Sequence, residues 1–383
     1  MNTLASSHKN RFTVLDSFRG IFAICVVVFH MHYLNSITET GFFRRSDLFV
    51  DFFFVLSGFV ITHSYAFNKQ LSFRTFTLSR FFRLFPLHIA ALLFYIVIEL
   101  FKLIACRHGV GFNKTPFTAE TDPSQIVPNL FLLQSWTTQT TALSFNYPSW
   151  SISIEFYMYF IFYIILLCKG FIRYTIWLLI ATITTWLFVS NCLTPTNILS
   201  NSALRGLSGF FTGALTYILY IKTYKTIKLN ALFLSICEII LFITLLLVIS
   251  SDFNNKGIIL ILLFAISIFV FAHEKGVLST VFSKKIFVII GKLSYSIYMT
   301  HASLLLIILT VYLTLDKYLK IKAIAPLVNG IRVINFGSAQ VNNLAILLVV
   351  IFVILTSSLT YKYIEIPGQQ LGKLFIKGLS KTQ

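Results

Sequence analysis

Residues 15–30 of this chain read LDSFRGIFAICVVVFH, an apolar run with an arginine near its start and a histidine at its end. Because an α-helix advances about 100° per residue, the steps from Arg19 to His30 make three turns plus roughly 20°. The two side chains therefore share one face of the predicted helix. They lie about 16 Å apart along its axis, roughly half the thickness of a bilayer core.

Two interpretations of this segment are open. A cation and an imidazole are costly inside a membrane helix and normally face an interior cavity, which makes Arg19 and His30 candidate functional residues. In the alternative, the arginine snorkels from the helix start and the histidine lies at the far interface. Whether the segment crosses a membrane at all is decided by the composition of the whole chain.

The composition is that of an integral membrane protein. Of 383 residues, 57% are hydrophobic and 11% are charged, whereas soluble proteins carry about 25% charged residues. The formal net charge of +18 raises the question of a nucleic-acid partner. The basic residues, however, lie in short loops between apolar runs, which is typical of cytoplasmic loops, so no nucleic-acid partner is expected.

Hydropathy predicts an all-α, polytopic membrane protein with about ten transmembrane helices. The predicted spans are 13–33, 48–67, 82–104, 150–168, 172–190, 203–221, 231–250, 257–273, 286–314 and 343–363. They form one transmembrane domain, 13–367, flanked by tails at 1–12 and 368–383. With the N-terminus inside, the cytoplasmic loops and tails hold 18 Lys and Arg residues and the opposite loops hold ten. Both termini are therefore predicted to be cytoplasmic.

The longest loop, residues 105–149, lies on the outer side in this topology and contains four prolines. It is expected either to cover the site or shape an acceptor groove, or to be an ordered cap without a catalytic role. The five cysteines, among them Cys192, are scattered without the spacing of a metal site. We expect buried thiols, with neither disulfides nor a bound metal.

Two further motifs accompany the second and third spans. Asp51 heads an apolar run in which Ser57 and Gly58 permit close helix approach. The aspartate is either an interface charge or an internal partner for a cation. Arg80 and Arg83 are three residues apart on one helical face. They suit bidentate capture of phosphate, although an ordinary positive-inside cluster would look the same.

The remaining polar motifs lie in later spans. Glu155 sits about two turns into a helix that starts near residue 148, and an intramembrane carboxylate needs a partner, for which Arg205 is a candidate. Tyr298 and His301 are neighbours on one helical face, and the histidine either orients a ligand or hydrogen-bonds another helix. Glu365, in a late Glu-x-Pro sequence, is interpreted as part of an interfacial stop.

Together and in this order, these motifs resemble acyltransferase family 3, a family of membrane-bound O-acyltransferases. The resemblance rests on Arg-x10-His, D-x-F-F-x-x-S-G-F, Arg-x-x-Arg-x-x-Pro, W-S-x-x-x-E, Arg-Gly-x-x-x-F-F-x-G, Y-S-x-Y-x-x-H and Glu-x-Pro, all within residues 15–367. Some relatives add a C-terminal hydrolase-like domain, and this chain resembles the stand-alone form.

The resemblance implies transfer of an acyl group, most often acetyl, from cytoplasmic acyl-CoA to a carbohydrate hydroxyl. Family acceptors include lipopolysaccharide O-antigen, exopolysaccharide, lipid-linked sugars, peptidoglycan and, in some branches, macrolides. It also implies a multi-pass protein of the bacterial inner membrane. Acyl-CoA is then a donor substrate, and no cofactor is bound permanently.

The resemblance also suggests roles for the motif residues. Arg80 and Arg83 would hold the donor phosphates, Arg19 would position the pantetheine arm or the thioester, and His30 would be the general base. An acid, either Asp16 or Glu155, would orient the site. Candidates for stabilising the oxyanion are Arg19, Ser57 and Ser153. Candidates for structural or substrate-orienting roles are Asp51, Ser57, Arg205, Tyr298 and His301.

Three alternatives stay open. A covalent acyl-histidine intermediate competes with general-base catalysis at His30. A transporter or flippase for a lipid-linked glycan also fits many spans with scattered intramembrane polar residues. A polysaccharide polymerase or ligase is a third possibility, although a large arginine-rich outer loop would then be expected. Consumption of acyl-CoA separates the last two from an acyltransferase.

Overall fold

The computed structural model describes residues 11–68, 71–109, 111–112, 114–190, 199–253, 256–319 and 332–379. Most of the predicted N-terminal tail, Cys192 and residues 380–383 lie outside this part of the chain. Within it, the structure is helical, and the helices are α1 (Thr13–Phe29), α2 (Phe49–Tyr65), α3 (Phe73–Arg107), α4 (Ile126–Leu130), α5 (Ser149–Leu166), α6 (Phe171–Val189), α7 (Asn201–Thr226), α8 (Ala231–Ser250), α9 (Lys256–Phe271), α10 (Val277–Phe282), α11 (Lys285–Leu319), α12 (Ala339–Thr360) and α13 (Ile366–Leu379).

Each predicted span coincides with one of these helices, and the all-α, polytopic fold is confirmed. Among the described residues, seven helices are long and apolar enough to cross a membrane. The other three predicted spans fall on α1, α7 and α9. Helices α1 and α9 are short, with 17 and 16 residues, and α7 carries Arg205 together with several glycines.

Close packing of two helix pairs builds the bundle. Helices α2 and α7 approach so closely that a Cβ at Gly58 would overlap the backbone of Phe210, and one at Gly213 would overlap that of Val55. Helices α1 and α11 meet in the same way, with Gly20 against the backbone of Gly291. Small residues drive helix association in membranes because they let backbones touch. The predicted role of Gly58 is confirmed.

We expect Gly58→Ala to lower the free energy of unfolding by about 1–3 kcal/mol, because the added methyl group pushes α2 and α7 apart. Thermal unfolding of the detergent-solubilised protein measures this. Gly378→Ala is the matched control, since a Cβ at Gly378 meets nothing within 4 Å. Equal melting temperatures for the two variants would contradict the packing argument.

The bundle has two ends. We call the end at which α1 begins the Arg11 face and the opposite end, at which α1 finishes, the His30 face. At the Arg11 face, α12 continues through a π-helical turn, Tyr361–Glu365, into α13. Helix α13 packs on α3, with Phe82 stacked on Phe375. The predicted C-terminal tail is therefore, as far as residue 379, a helix that braces α3.

At the His30 face, the segment between α3 and α5 forms an ordered cap. His88 of α3 donates from Nε2 to the carbonyl of Asn129 over 2.8 Å, and Glu99 accepts from the backbone N–H of Phe117 over 2.9 Å. These buried α3 side chains hold the described part of the long loop against the bundle. The cap ends in Tyr147, whose ring lies against His30.

Candidate active site

A cavity of about 620 Å³ enters the bundle from the Arg11 face. Its mouth includes the exposed residues Arg11, Ser64 and Lys292, and its walls come from α1, α2, α3, α5, α11 and the π-helical turn. Eight of the residues singled out in the sequence line it, namely Asp16, Arg19, Ser57, Arg80, Arg83, Glu155, Tyr298 and Glu365. Five further candidates lie outside its lining, namely His30, Asp51, Ser153, Arg205 and His301.

The cations of the cavity differ in how they are held. Asp16 forms ion pairs with both Arg11 and Arg19, the latter at 3.5 Å. Arg80 donates from Nη2 to the Tyr65 hydroxyl over 2.9 Å. Within the described residues, Arg83 makes no hydrogen bond and no ion pair within 4 Å. Its guanidinium is thus available to an anionic ligand.

Glu155 is held by neutral groups. Its carboxylate accepts from Ser57 Oγ over 2.7 Å and from the Tyr159 hydroxyl. The suggested pairing of Glu155 with Arg205 is wrong, because Arg205 is bound to another carboxylate. The Ser57 hydroxyl proton is likewise committed to Glu155, which weakens Ser57 as a donor to an oxyanion.

Asp51 is the partner of Arg205. The guanidinium donates to both carboxylate oxygens, Nε to Oδ1 over 2.8 Å and Nη2 to Oδ2 over 3.1 Å. It also lies over the Trp150 ring, 5.5 Å from the centroid. Asp51 is only 2% exposed, so it is an internal partner for a cation and not an interface charge. This pair joins α2 to α7.

Because the pair is buried, we expect Asp51→Leu to cost about 3–5 kcal/mol of stability, since it strands the Arg205 charge. The double variant with Arg205→Leu should recover most of the loss. Arg45→Leu is the control, because Arg45 pairs with an exposed aspartate, where an ion pair contributes about 1 kcal/mol or less. Thermal unfolding measures all three, and equal shifts for Asp51→Leu and Arg45→Leu would overturn the assignment.

His30 and His301 form a hydrogen-bonded pair between α1 and α11. The Nδ1–H of His30 donates to the carbonyl of Val26 over 2.9 Å, and the Nδ1–H of His301 donates to that of Tyr298 over 2.6 Å. A carbonyl can only accept, so both neutral rings carry their proton on Nδ1. The single Nδ1–H of His30 is therefore shared between two acceptors, the Val26 carbonyl and His301 Nε2, the latter at 3.3 Å.

This tautomer leaves the lone pair of His30 on Nε2, which makes no hydrogen bond with the described residues. Nε2 is therefore free to take a proton, while Nδ1–H is oriented by His301. The suggestion that Asp16 or Glu155 orients His30 is wrong, since neither carboxylate contacts this histidine. Ser153 is also wrong as an oxyanion donor, because it is buried away from the cavity and donates to the carbonyl of Leu132 over 2.6 Å.

The cavity ends close to this pair. Its inner end includes Phe53, Ser151 and Tyr298, with Ser151 Oγ donating to the Tyr298 hydroxyl over 2.9 Å. The Tyr298 and His301 rings are 5.8 Å apart, centroid to centroid. Arg19 and His30 share a face of α1, as predicted, but only Arg19 lines the cavity. His30 lies beyond its inner end.

Two residues that were not predicted to take part in the site belong to this region. Glu365 lines the cavity, is 4% exposed, and accepts from Ser296 Oγ over 2.8 Å. The Glu-x-Pro motif marked it, but only the π-helical turn shows that it faces inward, and such turns are frequent at functional sites. Tyr147, from the cap, contacts His30 with ring centroids 4.7 Å apart.

Comparisons with known proteins agree with this architecture. The family model Acyl_transf_3, described as an acyltransferase domain, matches residues 12–362. Acyltransferase MdmB of Streptomyces mycarofaciens is 40% identical over 114 residues, 30% of this chain and 26% of that protein. Protein 2 in picA locus of Rhizobium radiobacter is 40% identical over 98 residues, 23% of this chain and 46% of that protein. The chain thus spans less than half the length of either relative, and no solved structure matches it.

Proposed function

Because the chain belongs to the acyltransferase family that this model describes, we propose that it moves an acyl group, acetyl in the first instance, from acyl-CoA to a hydroxyl of a cell-surface carbohydrate. The observation that carries the proposal is the cavity, which leads from the Arg11 face to the neighbourhood of the histidine pair. Such a funnel suits a donor that has phosphates at one end and a reactive thioester at the other.

The distribution of charge supports this orientation of the donor. Arg80 and Arg83 lie toward the mouth of the cavity, where guanidinium groups would bind the CoA phosphates. The pantetheine arm would extend past Arg19 and the Glu155 cluster toward Tyr298. In this proposal the Arg11 face is the cytoplasmic side of a bacterial inner membrane, as the excess of basic residues in its loops predicts. The acceptor, an O-antigen, exopolysaccharide or lipid-linked sugar, would approach from the His30 face.

In the proposed step, the hydroxyl oxygen of the acceptor attacks the thioester carbonyl carbon. A C–O bond forms and the C–S bond breaks, His30 Nε2 takes the hydroxyl proton, and the CoA thiolate leaves. His301 keeps its hydrogen bond from Nδ1–H and so stabilises the imidazolium. Nδ1 of His301 donates to the Tyr298 carbonyl, so the proton does not pass on through His301. It leaves again from His30 Nε2 to the CoA thiolate, which gives the CoA thiol. Arg19 is the proposed group for stabilising charge on the carbonyl oxygen.

Mass spectrometry of surface glycans tests this function directly. Glycans from cells with the wild-type protein should be heavier by one acyl group than glycans from cells lacking the gene. The mass difference identifies both acyl group and acceptor. Unaltered acylation in the deletion strain would contradict the proposal, and loss of the entire glycan would favour a transporter of a lipid-linked glycan.

A further inference from the structure

His30 has neighbours from two parts of the protein. One group comprises His301, Tyr298 and the inner end of the cavity. A further neighbour is Tyr147, whose ring makes an angle of 38° with the imidazole at a centroid distance of 4.7 Å. Tyr147 also contacts His301, with ring centroids 5.9 Å apart. Because Tyr147 belongs to the cap at the His30 face and does not line the cavity, it covers the pair from the cap.

The neighbours of Tyr147 hold it in this position. The side chain of Asn146 is 1% exposed and donates to the carbonyl of Met299 on α11 over 3.0 Å. The carbonyl of Asn146 accepts from the N–H of Ser149, the first residue of α5, over 2.9 Å. The Tyr147 hydroxyl makes no hydrogen bond with the described residues. The backbone is thus fixed by Asn146, and the Tyr147 ring is not needed to hold it.

A ring in this place has a chemical consequence. The same base that activates a carbohydrate hydroxyl can activate water. In that side reaction, water oxygen attacks the thioester carbon, the C–S bond breaks, and the products are a carboxylic acid and CoA thiol. Active sites that handle reactive acyl groups suppress such losses by excluding water. An aromatic face packed on the imidazole leaves less room for a water molecule beside the base.

We propose that Tyr147 is a positioning residue on the acceptor side of His30, which keeps water from the base and guides the carbohydrate hydroxyl to Nε2 past its ring. This inference rests on the proposed function, because it assumes that His30 acts on an acyl thioester. Through Tyr147, the residue at its end, the long cap between α3 and α5 would control how the acceptor approaches His30.

The test measures release of CoA thiol from acetyl-CoA by the purified full-length protein, without and with an acceptor glycan. Tyr147→Ala should raise acceptor-independent release about tenfold and lower the ratio of transfer to hydrolysis. Tyr147→Phe should behave like the wild type, since the ring is kept. Tyr157→Ala is the control, because Tyr157 anchors the same cap through the carbonyl of Phe131 and does not contact His30.

Acceptor-independent release at the wild-type rate in Tyr147→Ala, with acetyl-CoA still bound, would overturn the inference and leave the proposed function intact. A rise of equal size in Tyr157→Ala would also overturn it, because loosening of the cap would then be the cause. Should Tyr147→Ala fail to fold, Tyr147→Val removes most of the ring and keeps an apolar side chain, and a smaller rise in acceptor-independent release is expected. A wild-type protein that releases no thiol with any acceptor would instead contradict the proposed function itself.

Discussion

Replacing His30 with alanine abolishes acyl transfer and leaves donor binding intact: this is the largest effect that we expect of any single substitution. General-base catalysis contributes about 10²–10⁴ in rate, so transfer should fall by at least about a hundredfold. Binding should persist because His30 lies beyond the inner end of the cavity and does not line it. The measurements are acyl transfer to the glycan and equilibrium binding of acetyl-CoA by the same preparation.

His32→Ala is the matched control for this substitution. His32 lies two residues further along and is exposed, so its removal should leave transfer unchanged. His301→Ala should reduce transfer less than His30→Ala, because it removes one of the two acceptors of Nδ1–H and leaves the base and the Val26 carbonyl in place. Loss of both transfer and acetyl-CoA binding in His30→Ala would show that His30 supports the fold instead of the chemistry.

The same variants separate the base from a covalent nucleophile. An acyl-histidine intermediate would add the mass of one acyl group to the wild-type protein when acetyl-CoA is supplied without acceptor. The lone pair on Nε2 permits either role. A general base predicts that the intact mass of the wild-type protein stays unchanged under these conditions. A mass increase that is lost in His30→Ala would establish the covalent route.

The helices themselves could be predicted from the sequence because a continuous apolar run of about 20 residues satisfies its backbone hydrogen bonds inside a bilayer as a helix. For the ten predicted spans the errors lie at the helix ends, where local capping determines the boundary. Helix α3 begins at Phe73, nine residues before the predicted span, because Ser72 Oγ accepts from the N–H of Thr75 over 3.2 Å. Hydropathy detects the apolar run, which starts later in the chain, and does not detect a capping hydrogen bond.

Which side chains share a face of one helix could also be predicted from the sequence. The three-residue spacing of Arg80 and Arg83 predicted a shared face, and both line the cavity. The shared face of Arg19 and His30 followed from the same geometry. These inferences need only the helical period, which does not depend on how the helices pack.

Side-chain contacts between different helices could not be predicted from the sequence. Asp51 and Arg205 are 154 residues apart in the sequence. They form an ion pair because α2 packs against α7, and this packing could not be derived from the motifs. Similarly, a carboxylate seemed the natural partner for His30, but packing of α1 on α11 supplied a second histidine. Glu365 faces inward because of a π-helical turn, which the local sequence pattern does not predict.

Replacing Arg83 with glutamine should weaken acyl-CoA binding by about 10- to 100-fold, which corresponds to the 1.5–3 kcal/mol of a hydrogen bond to a charged group. Arg83 lines the cavity without a hydrogen bond or ion pair within 4 Å among the described residues. The N–H donors of its guanidinium are therefore open to a phosphate. Arg80→Gln should cost less. That guanidinium already donates to Tyr65 over 2.9 Å and lies 5.4 Å from its ring centroid.

Arg74→Gln is the matched control for the loss of one charge. Arg74 is on the same helix, is exposed, and does not line the cavity. Calorimetric titration with acetyl-CoA gives the three affinities, and repeating it at higher salt tests the electrostatic origin. Affinities that fall equally for Arg74, Arg80 and Arg83 would indicate a general attraction of the basic face for an anion instead of a phosphate site.

A truncated donor identifies the phosphate that Arg83 holds. If the guanidinium binds the 3′-phosphate of CoA, dephospho-CoA should bind the wild type and Arg83→Gln with equal affinity, because the interaction is absent from both. If it binds the diphosphate instead, dephospho-CoA should lose the same factor as CoA when Arg83 is replaced. Unchanged affinity of Arg83→Gln for both ligands would mean that the donor does not reach this arginine, and the cavity would have to serve a different substrate.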